Sequence, residues 1–272
     1  MLDLHTHSNC SDGQHSPTEL LALAAQNQIT HLALTDHDTV SGLKEAAAAA
    51  KNYGIQFLCG IEISTSLSHQ HLLGLGIDPD CPAMLSACEA YKIRRISREQ
   101  GILKVLNGWG MDISAEDVQK FAHGQVGRPH FARAMVEKGY VQSVPEAFER
   151  YLKAPEIRAI SDKKPDAAEA IALIHEAGGF AVLAHPMELA LPFAQLQTHM
   201  DTLLEIGLDG IEVFYQSNTA QEIEFLRDYA KKHNLLMTGG SDFHGALVKP
   251  SVTLGIRSQE EIFSQSALWQ EK

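Results

Sequence analysis

The chain has 272 residues, of which 44% are apolar and 7% aromatic, with a formal net charge of -12. That is enough chain to bury a large core as one α/β barrel, or as one barrel carrying a small insertion. The acidic balance argues against a general nucleic-acid coat protein. The lack of eighteen uninterrupted apolar residues argues against a membrane span.

The N-terminus enters a strand without a basic start or a signal-like apolar core, so a soluble, cytoplasmic protein is expected. Cys10, Cys59, Cys81 and Cys88 show no C-x-x-C spacing, which argues against a disulfide framework or thiolate cluster. Cys10 reads as a small filler in a tight loop.

Short apolar runs and helical periodicity alternate through the first eighty residues. Strands are expected at Met1 to Leu4, His31 to Leu34, Phe57 to Ile63 and His71 to Ile77, with helices beginning at Pro17 and spanning Leu43 to Tyr53. After the breaker Asp78-Pro79-Asp80-Cys81-Pro82 the strand signals vanish. Helices are expected over Glu89 to Leu106, Ala115 to Phe121, His130 to Lys138 and Val144 to Leu152. Alternation resumes with a helix from Asp166 to Ala177, a strand from Phe180 to Ala184, a helix near Phe193 to Ile206 and a strand from Gly210 to Tyr215. A helix from Thr219 to His233 and a strand from Leu235 to Thr238 follow. The pattern predicts a barrel from residues 1–83 and 166–272, with residues 84–165 inserted as a small helical subdomain.

Histidine and acid cluster where these strands end: Asp3-Leu-His5-Thr-His7, Thr35-Asp36-His37-Asp38, Ala184-His185-Pro186 and Ser241-Asp242-Phe243-His244. Strand ends share a face when the strands form one parallel sheet or barrel, so the clusters are expected to converge. His5 and His7, two apart on a strand, point to one side and can chelate together. Imidazole nitrogen mixed with carboxylate oxygen suits manganese, zinc or iron; calcium would want oxygen alone. Glu62 also follows an apolar run at a strand end. Asp36 is placed to orient His37 or a neighbouring ring, and Asp38 either does the same or caps the following helix.

Charge is uneven. Between Glu89 and Lys164 the chain carries 14 Lys and Arg against 10 Asp and Glu, so the inserted segment is basic within an acidic protein. Lys92, Arg94, Arg95 and Arg98 fall on one or two faces of a helix. Gly127-Arg128-Pro129-His130 opens another, a favourable place for a phosphate. Arg128 and His130, then Arg95, are the candidate substrate contacts, in a lid for an anionic substrate. Tyr215 is placed either to stack on a base or to close the barrel rim.

In combination, the four clusters resemble the motifs of the PHP (polymerase and histidinol phosphatase) superfamily, over Met1 to about Gly255. Gly127-Arg128-Pro129-His130-Phe131-Ala132-Arg133 resembles its TrpH/YciV-type branch. The resemblance implies a distorted (β/α)7 barrel with a trinuclear metal site. One ion falls to His5, His7, Glu62 and Asp242, and a second to Glu62, His71 and His185. A third falls to Asp12, His37 and His244, with an acid at Asp12 where other branches place a histidine. His71 is preferred over His69 because it directly enters its strand.

The implied activity is hydrolysis of a 3′-phosphoester in a 5′-phosphorylated nucleotide, such as a nucleoside 3′,5′-bisphosphate, by water activated between closely spaced ions. The catalytic set is then His5, His7, Glu62, His185, Asp242 and His244. The alternative is a 5′-to-3′ exoribonuclease on short 5′-phosphorylated RNA; a histidinol-phosphatase-like enzyme and a non-catalytic metal-bound module rank lower. No stable protein partner is implied. The chain departs from the branch at Ser217-Asn218-Thr219 and in the stretch from Leu152 to Pro165, which lacks the branch's glycine-rich loop.

Overall fold

The computed structural model describes residues 1–122, 126–160, 164–257, 260–263 and 265–269. Part of the divergent stretch before Pro165, residues 161–163, lies outside them. The chain divides into two compact units, one made of Met1–Cys88 and Lys164–Lys272, the other of Glu89–Lys163.

In chain order the first unit opens with β1 (Leu2–Asp3), α1 (Pro17–Gln26), β2 (His31–Leu34), α2 (Leu43–Tyr53), β3 (Gln56–Ser64) and β4 (His71–Leu75). Local chemistry sets these bounds. Ser16 and Glu19 form a reciprocal capping box at the start of α1, with Pro17 in its first turn. Gly54, at φ +64°, ends α2 in the left-handed conformation. The apolar sides of the two helices, Leu20, Leu21 and Ala24 on one and Ala46, Ala49 and Ala50 on the other, are buried.

Then come α3 (Pro82–Gly108), α4 (Ala115–Gln119), α5 (Arg128–Glu137), α6 (Val144–Ala147) and α7 (Pro155–Arg158). The chain returns to the barrel with α8 (Ala167–Glu176), β5 (Phe180–Leu183), α9 (Phe193–Glu205), β6 (Gly210–Tyr215), α10 (Ala220–His233) and β7 (Leu236–Gly240), and α11 (Glu260–Phe263) follows.

The seven strands form one sheet in the order β1 to β7. Backbone bonds from Leu4 N to Gly239 O, Asp242 N to His5 O and His7 N to Phe243 O bring the first strand back to the last, so the sheet curls into a nearly closed barrel. One strand departs from the all-parallel sheet used to explain convergence: β4 runs antiparallel to both β3 and β5. Only residues 65–70 join β3 to β4, too few for the crossover that parallel strands need. This reversal brings the start of β4, with His71, to the rim where the other strands end. Leu2, Leu4, Leu32, Leu34, Ile61 and Ile63 are fully buried in this unit.

The second unit has its own core, including Leu106, Ile113, Phe131, Met135, Leu152 and Ile157. Two elements differ from expectation. α3 begins at Pro82, ahead of the expected Glu89, because Pro is well suited to a first helical turn. The helix expected over Val144 to Leu152 is α6 followed by a π turn at Phe148–Leu152, where Lys153 N donates to Phe148 O.

Candidate metal centre

His5 and His7 leave β1 at alternate positions and turn inward together, with ring centroids 5.2 Å apart. Glu62, on β3, lies between them and the rest. Its Oε2 is 3.2 Å from Nε2 of both His5 and His7 and 3.1 Å from His37 Nδ1. Its Oε1 faces His71 Nδ1 at 2.8 Å and His185 Nε2 at 3.1 Å. Both oxygens of one buried carboxylate are therefore shared among ring nitrogens on two sides, the layout of a bridging ligand.

Asp242 aims Oδ1 at His7 Nε2 (3.2 Å), His244 Nδ1 (3.3 Å) and His5 Nε2 (3.6 Å). Asp12, on the loop after β1, approaches His244 Nε2 at 3.3 Å, His7 Nδ1 at 3.9 Å and His37 Nε2 at 4.0 Å. The ligand atoms fall into three overlapping sets: His5, His7, Glu62 and Asp242; His7, Asp12, His37 and His244; and His37, Glu62 and His71. His185 stands outside these sets and joins the cluster through its contact with Glu62 Oε1. All nine residues named from the sequence thus meet at one rim. His69, the competitor of His71, is exposed in the β3–β4 turn.

The backbone is bent to make this rim. Asp242 has φ +57° and His185 φ +29°, conformations that side-chain-bearing residues seldom adopt and that gather at functional sites. Gly240 lets β7 pass against His5: a Cβ there would lie 2.4 Å from His5 Cβ.

Buried acids brace the cluster. Asp3 accepts from Ser241 N, Ser241 Oγ, Gly255 N and His5 N, tying the first strand to the end of β7. Burial pushes its carboxyl up to about 6, against those hydrogen bonds. Asp36 accepts from Ser8 N, Ser8 Oγ and Ser11 Oγ, so it shapes the loop that carries Asp12; the expected role of orienting the His37 ring does not appear among its hydrogen bonds. Asp38 accepts from Ser64 N, while Gly42 stands at the N-cap of α2, so the expected helix cap is a pin on β3 instead. Glu212 on β6 went unrecognised. It lies 3.2 Å from His5 Nδ1 and accepts from His185 N at 2.8 Å, the position of a carboxylate that fixes a ligand ring. An acid in a strand buried at every position was the available signal.

Tyr215 closes the rim. Its hydroxyl lies 2.9 Å from Glu188 Oε1 and 3.1 Å from Asp242 Oδ2. Lys249, also unrecognised, sets its ammonium 2.5 Å from the same Asp242 oxygen.

Charge in the cluster is mutually dependent. Burial opposes ionisation of Glu62, Asp12 and Asp242, yet the surrounding imidazoles hold all three well below the ordinary carboxylate range. Burial lowers His7 too, but Asp242 and Glu62 outweigh it and raise the ring to about 9. Burial prevails at His37, whose ring falls to about 3.

The donor atoms fit divalent cations. His5 Nε2, both nitrogens of His7, His37 Nδ1 and Glu62 Oε2 are buried without a hydrogen-bond partner. One such orphan costs about 1–3 kcal/mol. Several converging on one point are resolved together by a cation. Mixed nitrogen and oxygen donors suit manganese, zinc or iron. No thiolate takes part: Cys10 packs by the Gly42 backbone, and all four cysteines are free.

The candidate substrate contacts lie in the second unit. Arg95 is half-buried on α3, and Arg128 and His130 open α5. His130 Nδ1 accepts from Gly127 N at 2.9 Å, so this ring also caps its helix. The divergent Ser217-Asn218-Thr219 is structural: Asn218 Nδ2 donates to Val213 O, and Thr219 caps α10.

The fold agrees with what related proteins show. The PHP domain model matches residues 3–248, and the chain belongs to that family. It is 36% identical to a 5′-3′ exoribonuclease of Haemophilus influenzae, over 89% of each chain. It is 34% identical to a 3′,5′-nucleoside bisphosphate phosphatase of Chromobacterium violaceum, over 89% of this chain and 87% of that one. A solved structure from Bifidobacterium adolescentis, 29% identical, superposes with a TM-score of 0.80 over 99% of this chain and 96% of its own.

Proposed function

We propose that this protein is a metal-dependent phosphoesterase that cuts the 3′-oxygen to phosphorus bond of a 5′-phosphorylated nucleotide. Nucleoside 3′,5′-bisphosphates, such as adenosine 3′,5′-bisphosphate, are its substrates, and the 5′-monophosphate and phosphate are its products. The observation that carries the reading is Glu62, whose two oxygens serve separate groups of imidazoles inside a ring of further ligand atoms. The relatives named as a bisphosphate phosphatase and an exoribonuclease supply the substrate class.

The ligand sets are those of three ions: His5, His7, Glu62 and Asp242 for one, Glu62, His71 and His185 for the next, Asp12, His37 and His244 for the last. Manganese is the first choice, with zinc and iron compatible. Divalent ions held there would neutralise the anionic phosphoryl oxygens and would lower the pKa of an attacking water. The chain's own residues do the rest. Glu212 fixes the His5 ring, the Asp3 and Asp36 networks fix the loops that carry Asp242 and Asp12, and Tyr215 holds the outer oxygen of Asp242. Arg128 and His130, with Arg95, are the proposed grip on the phosphate that is not cleaved, where guanidinium geometry matches a phosphate's oxygens.

Exonucleolytic action is the second reading, favoured by the Haemophilus influenzae relative. The bond is the same. Its cleavage in RNA releases a nucleoside 5′-monophosphate and leaves a new 5′-phosphate for the next turn. The basic excess of the second unit is small, which fits a grip on a few nucleotides, and the place of action is the cytoplasm.

Manganese-loaded protein assayed side by side on adenosine 3′,5′-bisphosphate and on a short 5′-phosphorylated oligoribonucleotide separates the two. Phosphate from the bisphosphate alone is the expected result. Stepwise 5′-mononucleotides from the oligomer would establish the exonuclease, and inertness toward both would overturn the reading.

A further inference from the structure

Asp242 has two oxygens with different company. Oδ1 faces His5, His7 and His244, the side on which an ion is held. Oδ2 instead meets the Tyr215 hydroxyl at 3.1 Å and the Lys249 ammonium at 2.5 Å. The hydroxyl already gives the carboxylate a hydrogen-bond partner. A lysine added to it is redundant as an anchor and unfavourable for metal affinity, because a fixed positive charge beside a ligand carboxylate repels the cation that the carboxylate serves. What Lys249 brings that Tyr215 lacks is a positive charge, on a side chain that is 36% exposed, whereas Asp242 is buried.

Lys249 is also built into place. Its backbone N donates to Gly245 O, its carbonyl accepts from Val252 N, and Leu247 N donates to Gln14 Oε1. Gln14 N in turn donates to His244 O. The turn that presents the ammonium is thus tied to the loop after β1, which carries Asp12, and to the strand end that carries His244.

We propose that Lys249 is a substrate-contacting residue, whose ammonium receives a non-bridging oxygen of the phosphoryl group cleaved at the metal cluster. This rests on the phosphoesterase reading and extends it to a residue of the barrel unit that no motif marks. In the free protein the ammonium pairs with Asp242 Oδ2. When the phosphoryl group arrives, the ammonium has a second anion within reach of its remaining donors and keeps the carboxylate as its other partner.

The test compares wild type, K249M and K249R after loading with manganese. Three quantities are measured: bound manganese per chain, kcat/KM on adenosine 3′,5′-bisphosphate, and the Kd of inorganic phosphate by calorimetry. K249M is expected to keep the wild-type manganese content while kcat/KM falls at least about tenfold, the scale of a lost hydrogen bond to a charged group. Phosphate affinity should fall in parallel, and K249R should recover most of both. Values within about twofold of wild type, or a loss that follows a loss of bound manganese, would overturn the proposal. Calorimetry with phosphate needs no turnover, so a wild type that binds phosphate through Lys249 but hydrolyses nothing would count against the phosphoesterase reading alone.

Discussion

The barrel unit and the helical unit handle charge in opposite ways. In the barrel, Asp3, Asp36, Glu62, Glu212 and Asp242 are all buried, and beside them His5 Nε2, both nitrogens of His7, His37 Nδ1 and Glu62 Oε2 have no hydrogen-bond partner. In the helical unit the acids are paired: Asp117, itself buried, meets Lys138 and Lys120, and Glu146 meets Arg150. Water screens an exposed pair such as Glu146 with Arg150, and it contributes little to stability. Buried, unsatisfied donors and acceptors persist only where something else completes them. The contrast sets the proposed chemistry in the barrel.

Three substitutions sharpen this contrast. Glu62→Gln removes the shared carboxylate charge, and phosphate release from adenosine 3′,5′-bisphosphate should fall by about a thousandfold or more, with bound manganese reduced. Elemental analysis beside the rate assay checks both. Glu212→Gln keeps the shape but weakens the hold on the His5 ring, and a loss of about 10- to 100-fold in activity or metal affinity is expected. Retention of wild-type manganese affinity and rate by this variant would deny Glu212 its bracing role.

Asp117→Asn should leave turnover unchanged. The hydrogen bond from Lys138 holds the Asp117 carboxyl well below its usual range. A depressed carboxyl contributes stability above its unfolded pKa and loses it as pH falls through the folded one. Thermal unfolding should therefore find the variant slightly less stable at neutral pH, with the difference fading in strong acid. A difference that grew in acid would contradict the pairing.

The same contrast governs what could be read from the chain. The residues that meet at the rim were legible because histidine and acid cluster at the strand ends, and His5, His7, His37, His185, Asp242 and His244 sit in compact motifs. Glu62 and His71 needed the strands as a frame. The reversal of β4 was missed because an apolar run carries no direction; the short link over residues 65–70 was the only sign. Glu212 hid inside an apolar strand, and Asp36 was assigned to a ring when its partners were Ser8 and Ser11, contacts set by tertiary packing. Lys249 had no local signal at all, since its partner is fixed only by the turn that follows His244. In the helical unit, composition announced a basic segment but could not say that His130 also caps α5.

The most direct test of the central claim is to strip the protein with a chelator, follow phosphate release from adenosine 3′,5′-bisphosphate, and then restore manganese stepwise. Hydrolysis should vanish on stripping and return as the ligand sets fill, with more than one ion per chain needed for the full rate. Undiminished hydrolysis by the stripped protein would contradict the account.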